Sequence, residues 1–169
     1  AATLALLAVL ALGASNWAAD AQPGRTIHHS TDFGWAANQD VTEAFTKLLT
    51  DGTLKAGDEF VLDHTYRINI AIKSPRVLPP NFTLSAAKDA GFLVFGLSQE
   101  TAAPVPVLEL GDRDTLRNVT ITCEGVPTKI IAPKRQAMFF KAASLVASGK
   151  DDILIENCRL DGLVSHNIR

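Results

Sequence analysis

Arg117-Asn118-Val119-Thr120-Ile121-Thr122-Cys123 decides how this chain is read, because Asn81-Phe82-Thr83-Leu84 precedes it and Asp152-Ile153-Leu154-Ile155 follows it in one pattern. Asn118 lies 37 residues after Asn81, and Asp152 lies 34 after Asn118. In each copy a small polar residue opens the segment and two apolar side chains follow two apart, the period of a strand with one buried face. Recurrence at a few tens of residues is the mark of a solenoid, whose units cover one another's apolar faces. Phe82/Leu84, Val119/Ile121 and Ile153/Ile155 are therefore expected to stack as three layers of one core. Each such side chain contributes roughly 1.5 to 3 kcal/mol when buried. Asn81 and Asn118, at equivalent phases of the repeat, predict a ladder of stacked amides. Both also spell Asn-x-Thr glycosylation acceptors.

Outward from this repeat, the chain has 169 residues, 16 of them basic and 18 acidic, for a net charge of −2. Nothing in that balance suggests a general nucleic-acid binder, which carries a basic excess, and no nucleic-acid partner is expected. Ala1 to Ala21 run through Leu4-Ala5-Leu6-Leu7-Ala8-Val9-Leu10-Ala11-Leu12 and soften into small residues up to Ala19-Asp20-Ala21. An apolar core too short to span a bilayer, followed by an A-x-A site, reads as a secretory leader over residues 1–21. The expected location is secreted or periplasmic, with no membrane attachment once the leader is removed. The leader lacks an initiator Met and a basic start, so it reads as incomplete at its beginning.

Residues 22–56 read as an entry segment and a helix. Gln22 to Gln39 shows no periodicity. Asp40-Val41-Thr42-Glu43 has the form of a capping box, and Val41, Ala44, Phe45, Leu48 and Leu49 mark one face of a helix of about ten residues that Gly52 ends. A helix there would cover the open end of a strand solenoid. From Gly57 to the end, 57–169, alternation returns in Asp58-Glu59-Phe60-Val61-Leu62, Tyr66-Arg67-Ile68-Asn69-Ile70, Gly91-Phe92-Leu93-Val94-Phe95 and Val107-Leu108-Glu109-Leu110. Gly, Pro, Asn and Asp separate these runs, which argues for an all-β repeat. Residues 125–142 interrupt it with Lys129, Lys134, Arg135 and Lys141 and no acid. That inserted loop is either a solvated surface or a track for an acidic polymer. The last unit runs into Leu163-Val164-Ser165-His166-Asn167-Ile168-Arg169 as if another strand began, and the chain is read as truncated after its first few rungs.

Cys123 and Cys158 could bridge if a turn at Glu156-Asn157 restores their phase, or they are two small buried thiols. The same turn would point Glu156, Arg159 and Asp161 outward and Ile155, Cys158 and Leu160 inward.

Asp32-Phe33-Gly34, Asp40-Val41-Thr42-Glu43-Ala44-Phe45, Gly57-Asp58-Glu59-Phe60-Val61-Leu62 and Thr65-Tyr66-Arg67-Ile68 together resemble the entry module of the pectate-lyase-like superfamily. Ile153-Leu154-Ile155-Glu156-Asn157-Cys158-Arg159-Leu160-Asp161-Gly162 resembles one of that family's rungs. The resemblance implies a right-handed parallel β-helix with an amino-terminal capping helix. It departs from the family at Asp63-His64, where Pro-Gly is usual, and at Trp35, where Ala is common. Lyases, hydrolases, epimerases, phage tailspikes and adhesins share this fold, so the resemblance specifies architecture more closely than activity.

What the resemblance implies for function is a polysaccharide lyase or glycoside hydrolase acting on a uronate-containing polymer, or else a non-catalytic carbohydrate-binding or adhesin-type surface protein. Family enzymes use outer-face carboxylates as acid and base or as ligands for Ca2+, an ion the resemblance admits for a full-length protein although no cofactor motif is present. Substrate-binding candidates are Glu156, Arg159, Asp161, His166, Lys134 and Arg135. Gly149-Lys150-Asp151-Asp152 matches one glycosidase signature without its companions, and Asp before a strand is common in turns. No catalytic residue is assigned, and an active centre is expected in rungs beyond Arg169.

Overall fold

A computed structural model describes residues 24–96, 106–124 and 143–161, with the backbone of 166–168. The expected leader at 1–21 and the expected basic insertion at 125–142 lie outside the described residues. The chain forms β1 (Ile27–His29), a 3-10 turn (Ser30–Phe33), α1 (Thr42–Thr50), β2 (Glu59–Leu62), β3 (Thr65–Asn69), β4 (Thr83–Ala86), β5 (Gly91–Phe95), β6 (Leu108–Glu109), β7 (Thr115–Arg117), β8 (Thr120–Cys123), β9 (Ala143–Val146), β10 (Leu154–Glu156), β11 (Arg159–Leu160) and β12 (His166–Ile168). Among the described residues strands predominate and one α-helix is present, an all-β architecture.

The strands assemble into three sheets with orders β1-β2-β4-β7-β10, β3-β5-β8-β11 and β6-β9-β12, and every pairing is parallel. The chain visits the sheets in a fixed cycle: β4, β5 and β6 fall in the first, second and third sheet, and so do β7, β8 and β9. In the earlier coil Val77 takes the third-sheet place through an isolated parallel bridge to Glu109.

The register corrects the expected layers. Leu84 pairs with Leu116, and Leu116 with Ile155, in the first sheet. Ile121 belongs to the second sheet, where it lies between Phe92 and Leu160, and Val119 immediately precedes its strand. The segment Arg117–Cys123 is thus two strands, not one, and Asn118 is the corner between them at φ 60°. Asn157, at φ 52°, makes the corresponding corner between β10 and β11, as the turn read at Glu156-Asn157 anticipates. Asn81, Arg113 and Asp152, at φ 59°, 61° and 56°, stand together at another corner, the entrance to the first sheet. Asn81 and Asn118 therefore occupy different corners, and the predicted ladder between them does not form.

These corners hydrogen-bond from coil to coil. The N–H groups of Asn81, Arg113 and Asn118 donate to the carbonyls of Asp112, Asp151 and Glu156 at 2.7, 2.9 and 2.9 Å. Backbone that leaves the strand conformation is thereby satisfied, as buried and half-buried amides require.

The core is one cluster of buried apolar side chains drawn from all three sheets and α1, with a group of aromatic contacts around Phe45, Phe60 and Trp35. Phe45 of α1 lies 5.7 Å from the Phe60 ring and 5.5 Å from Phe92, and Trp35 lies 5.4 Å from Tyr66. Val41 and Phe45 are fully buried and Leu48 and Leu49 partly so; Ala44, expected on that face, is exposed. Thr42 fixes the helix in place. Its backbone N–H and its hydroxyl both donate to Asp40 Oδ1, and the same hydroxyl accepts the N–H of Asn69 at 2.7 Å. Asp40 thus caps the helix from one residue before Val41, where the helical boundary falls.

The entry segment, read as aperiodic, contains β1, which pairs with β2 from Ile27–Glu59 to His29–Val61. Three residues are too few to show a period, and Ile27 is 56% exposed on an edge strand, so alternation gave no signal.

Candidate functional site

The structure separates the candidates of the last described coil. Glu156 ends β10 on the outer face of the first sheet, where its Oε2 accepts Arg117 Nε–H at 2.8 Å. Arg159 and Asp161 lie past the Asn157 corner on the outer face of the second sheet and pair with each other at 3.1 Å. All three are exposed, as the alternation requires. They do not converge on a common point, since the corner between them turns the chain from one sheet to the next. His166 lies in β12, opposite Ala143, and its side chain, with Lys134 and Arg135, falls outside the described residues. Asp151 and Asp152 occupy the corner before β10, with Asp152 in the left-handed conformation.

The densest polar cluster lies elsewhere, at the β2–β3 corner, and Asp63 is its hub. Asp63 Oδ2 accepts Ser30 Oγ–H at 3.0 Å, Thr31 N–H at 3.1 Å and Thr31 Oγ1–H at 2.9 Å, while Oδ1 faces His29 Nδ1 at 2.9 Å. Ser30 Oγ also takes Asp63 N–H at 2.9 Å and lies 2.7 Å from Tyr66 Oη. Since the single Ser30 proton goes to the carboxylate, Tyr66 donates to Ser30. The Asp63 carboxylate thus ties the 3-10 turn and β1 to the β2–β3 corner.

Electrostatics follow from these contacts. Burial pushes the Asp63 carboxyl up, but hydrogen bonds from His29, Thr31 and Ser30 outweigh it and hold the group at about 2. The hydrogen bond to Asp63 raises His29 above its ordinary value. Burial raises Tyr66.

Aspartate, histidine and serine meet here, but in an order that does not activate the serine. Ser30 is fully buried and donates to the carboxylate, not to the imidazole. Nucleophilic activation requires the base to contact the hydroxyl. His29, with half its side chain exposed, is an imidazole oriented by a carboxylate. Among the described residues the cluster is built to hold a corner.

Two further charged groups among the described residues have no exposed surface. Arg76, with no exposed surface, donates from Nε to Val107 O at 2.8 Å, from Nη2 to Pro106 O at 2.9 Å and from Nη1 to Ser74 O at 3.2 Å. Burial lowers it to about 10, against the opposing pull of Glu109. Asp114, equally buried, accepts the N–H groups of Phe82 and Gly111, and burial raises its carboxyl despite those bonds. Sequence reasoning missed both, because a charged residue inside a turn reads as solvated. Cys123 and Cys158 are free, and burial raises both thiols, Cys123 to about 11. Cys123 stands beside Val94 in the register, while Cys158 immediately precedes Arg159, which stands beside Thr120, so the two cysteines are out of phase for a bridge.

On the second sheet's outer face Arg67 lies over the Phe95 ring at 4.3 Å and pairs with Glu124 at 2.8 Å. A shallow groove of about 310 Å3 between α1 and the segment at Ile72 and Ser74 has one carboxylate, Glu43, in its lining. Among the described residues no three His, Cys, Asp or Glu side chains are grouped to hold a metal ion. No helix among them is long and apolar enough to cross a membrane. Comparison with protein-family models, with curated proteins and with solved structures returned no match.

Proposed function

We propose that this chain forms the amino-terminal coils of an exported right-handed parallel β-helix that engages a polysaccharide, in a protein whose full length acts as a lyase or glycoside hydrolase. The observation that carries the reading is the cycle of the chain through three parallel sheets, with α1 packed on the aromatic group of the core. The resemblance of the entry segments to the pectate-lyase-like superfamily links that architecture to carbohydrate chemistry, and the apolar residues 1–21 link it to export. The described coils serve as scaffold, and the outer faces of the first two sheets offer charged side chains to a polymer.

A specific observation favours a second reading, a binding module without turnover. The outward carboxylates Glu156 and Asp161 are each neutralised by an arginine and face different sheets, whereas glycoside cleavage needs two carboxyls flanking one bond. Incubating the full-length protein with pectate and with alginate decides between them. New unsaturated ends establish a lyase and new reducing ends without unsaturation a hydrolase. Retention of polymer without either product establishes the binding module, and neither retention nor product overturns both readings.

A further inference from the structure

We infer that Asn118 is an N-glycosylation site, carrying an oligosaccharide at the corner between the first and second sheets. The inference rests on the export reading, since the donor is found only along a secretory route.

Asn118-Val119-Thr120 and Asn81-Phe82-Thr83 both match the acceptor pattern. Equal phase in the repeat would make them rungs of one amide ladder, and the structure removes that explanation by placing them at different corners. It also distinguishes them. Asn118 is exposed, in a left-handed corner whose own N–H is satisfied by Glu156 O at 2.9 Å. Its neighbour Val119 carries the burial, fully enclosed in the core, so the Asn118 side chain has no packing duty. Asn81 is half-buried, its Nδ2 lies 3.8 Å from the place a Cβ on Gly57 would occupy, and its companion Thr83 is 9% exposed within the first sheet. A sugar on that nitrogen would press against the neighbouring coil.

The reaction joins Asn118 Nδ2 to the anomeric carbon of a lipid-diphosphate-linked oligosaccharide. The new C–N bond forms as the C–O bond to the diphosphate breaks. The amide proton passes to a base of the transferase, the lipid diphosphate leaves, and nothing is oxidised or reduced. The folded corner at Asn118 accommodates a bulky, solubilising group, whereas a glycan at half-buried Asn81 would hold its coil open, so that only chains unmodified at Asn81 fold and are secreted.

The test expresses the full chain in a eukaryotic secretory host, once behind its own leader and once behind a borrowed one, and maps the secreted protein with and without peptide N-glycosidase. The expected result is a single glycan, at Asn118, lost in Asn118→Gln and in Thr120→Ala and retained in Asn81→Gln. Thr120→Ala keeps the corner residue itself, so loss of the glycan there is not a folding artefact. Secreted protein with no glycan, or with one at Asn81, overturns the inference. Glycosylation behind the borrowed leader alone upholds the site and counts against export by residues 1–21.

Discussion

Asp114 of one coil accepts the backbone N–H of Phe82 in the coil before it, at 2.9 Å, with both residues wholly buried. The left-handed corner at Asn81 turns that N–H toward the core, where no carbonyl meets it, and a carboxylate on the next coil takes it. Removing the acceptor leaves the Phe82 and Gly111 N–H groups unpaired in the interior. Asp114→Ala is therefore expected to cost about 2 to 5 kcal/mol. Asp114→Asn, which keeps one acceptor oxygen, is expected to cost less, and urea unfolding at neutral pH measures both. Because burial raises the Asp114 carboxyl, its charge opposes folding above its folded pKa, and that burden lifts as pH falls toward the ordinary 3.8.

Asp63 acts in the opposite direction. Held at about 2 against an ordinary 3.8, its charged form contributes roughly 2 kcal/mol, present above pH 3.8 and lost as pH falls toward 2. His29, raised by the same contact, contributes its share below its unfolded value near 6.5 and loses it as pH rises through the folded value. Asp63→Asn should thus flatten the loss of stability between pH 5 and acid. His29→Ala should destabilise more at pH 5 than at pH 9. Equal penalties for His29→Ala at the two values would show that the imidazole does not charge against Asp63.

Arg113 holds φ 61° at the corner where neighbouring coils place Gly57, Asn81 and Asp152. A long L side chain in this conformation costs about 1 kcal/mol, which asparagine and glycine largely avoid. Arg113 is exposed, so nothing in the core depends on it. Arg113→Asn is expected to raise the stability by about 0.5 to 1 kcal/mol, visible as a higher melting temperature.

Gly91 pairs with Thr65 on one side and Thr120 on the other. A Cβ there would fall 1.9 Å from the Thr120 carbonyl oxygen. That contact is with backbone, so no rotamer relieves it, and β5 and β8 would have to part. Gly91→Ala is expected to cost roughly 3 kcal/mol or more, whereas Gly149→Ala, with open space around it and φ 68°, should cost about 1 kcal/mol through strain alone. Thermal unfolding of the two variants compares them directly.

The strands with a full alternating run were legible in the sequence. Phe60/Leu62, Tyr66/Ile68/Ile70 and Phe92/Val94 are all buried, as their spacing indicates. The corners were harder, because period two breaks there. Leu116 and Val119 are both buried although three residues apart, since Asn118 turns the chain onto the next sheet between them. Read as one strand, Arg117–Cys123 was placed in the wrong layer. The same spacing from Ile155 to Cys158 was resolved only by supposing a turn at Asn157. Asp63, Arg76 and Asp114 were not legible as interior groups, because their partners are backbone amides, carbonyls or residues some thirty positions away. Nothing in their local sequence separates them from the solvated Asp and Arg of ordinary turns.

The connection from the first sheet to the second is short in every coil, from Leu62 to Thr65, Ala86 to Gly91, Arg117 to Thr120 and Glu156 to Arg159. The connection from the second to the third lengthens instead, from Phe95 to Leu108 in one coil and from Cys123 to Ala143 in the next, while β6 and β9 still pair in register. One rim of the molecule is thereby held constant and the other is free to vary. Foreign peptides grafted between Gly96 and Pro106, which leave the Pro106 and Val107 carbonyls on Arg76, should leave the hydrogen-bonded ladders undisturbed, a place to build new recognition onto this scaffold.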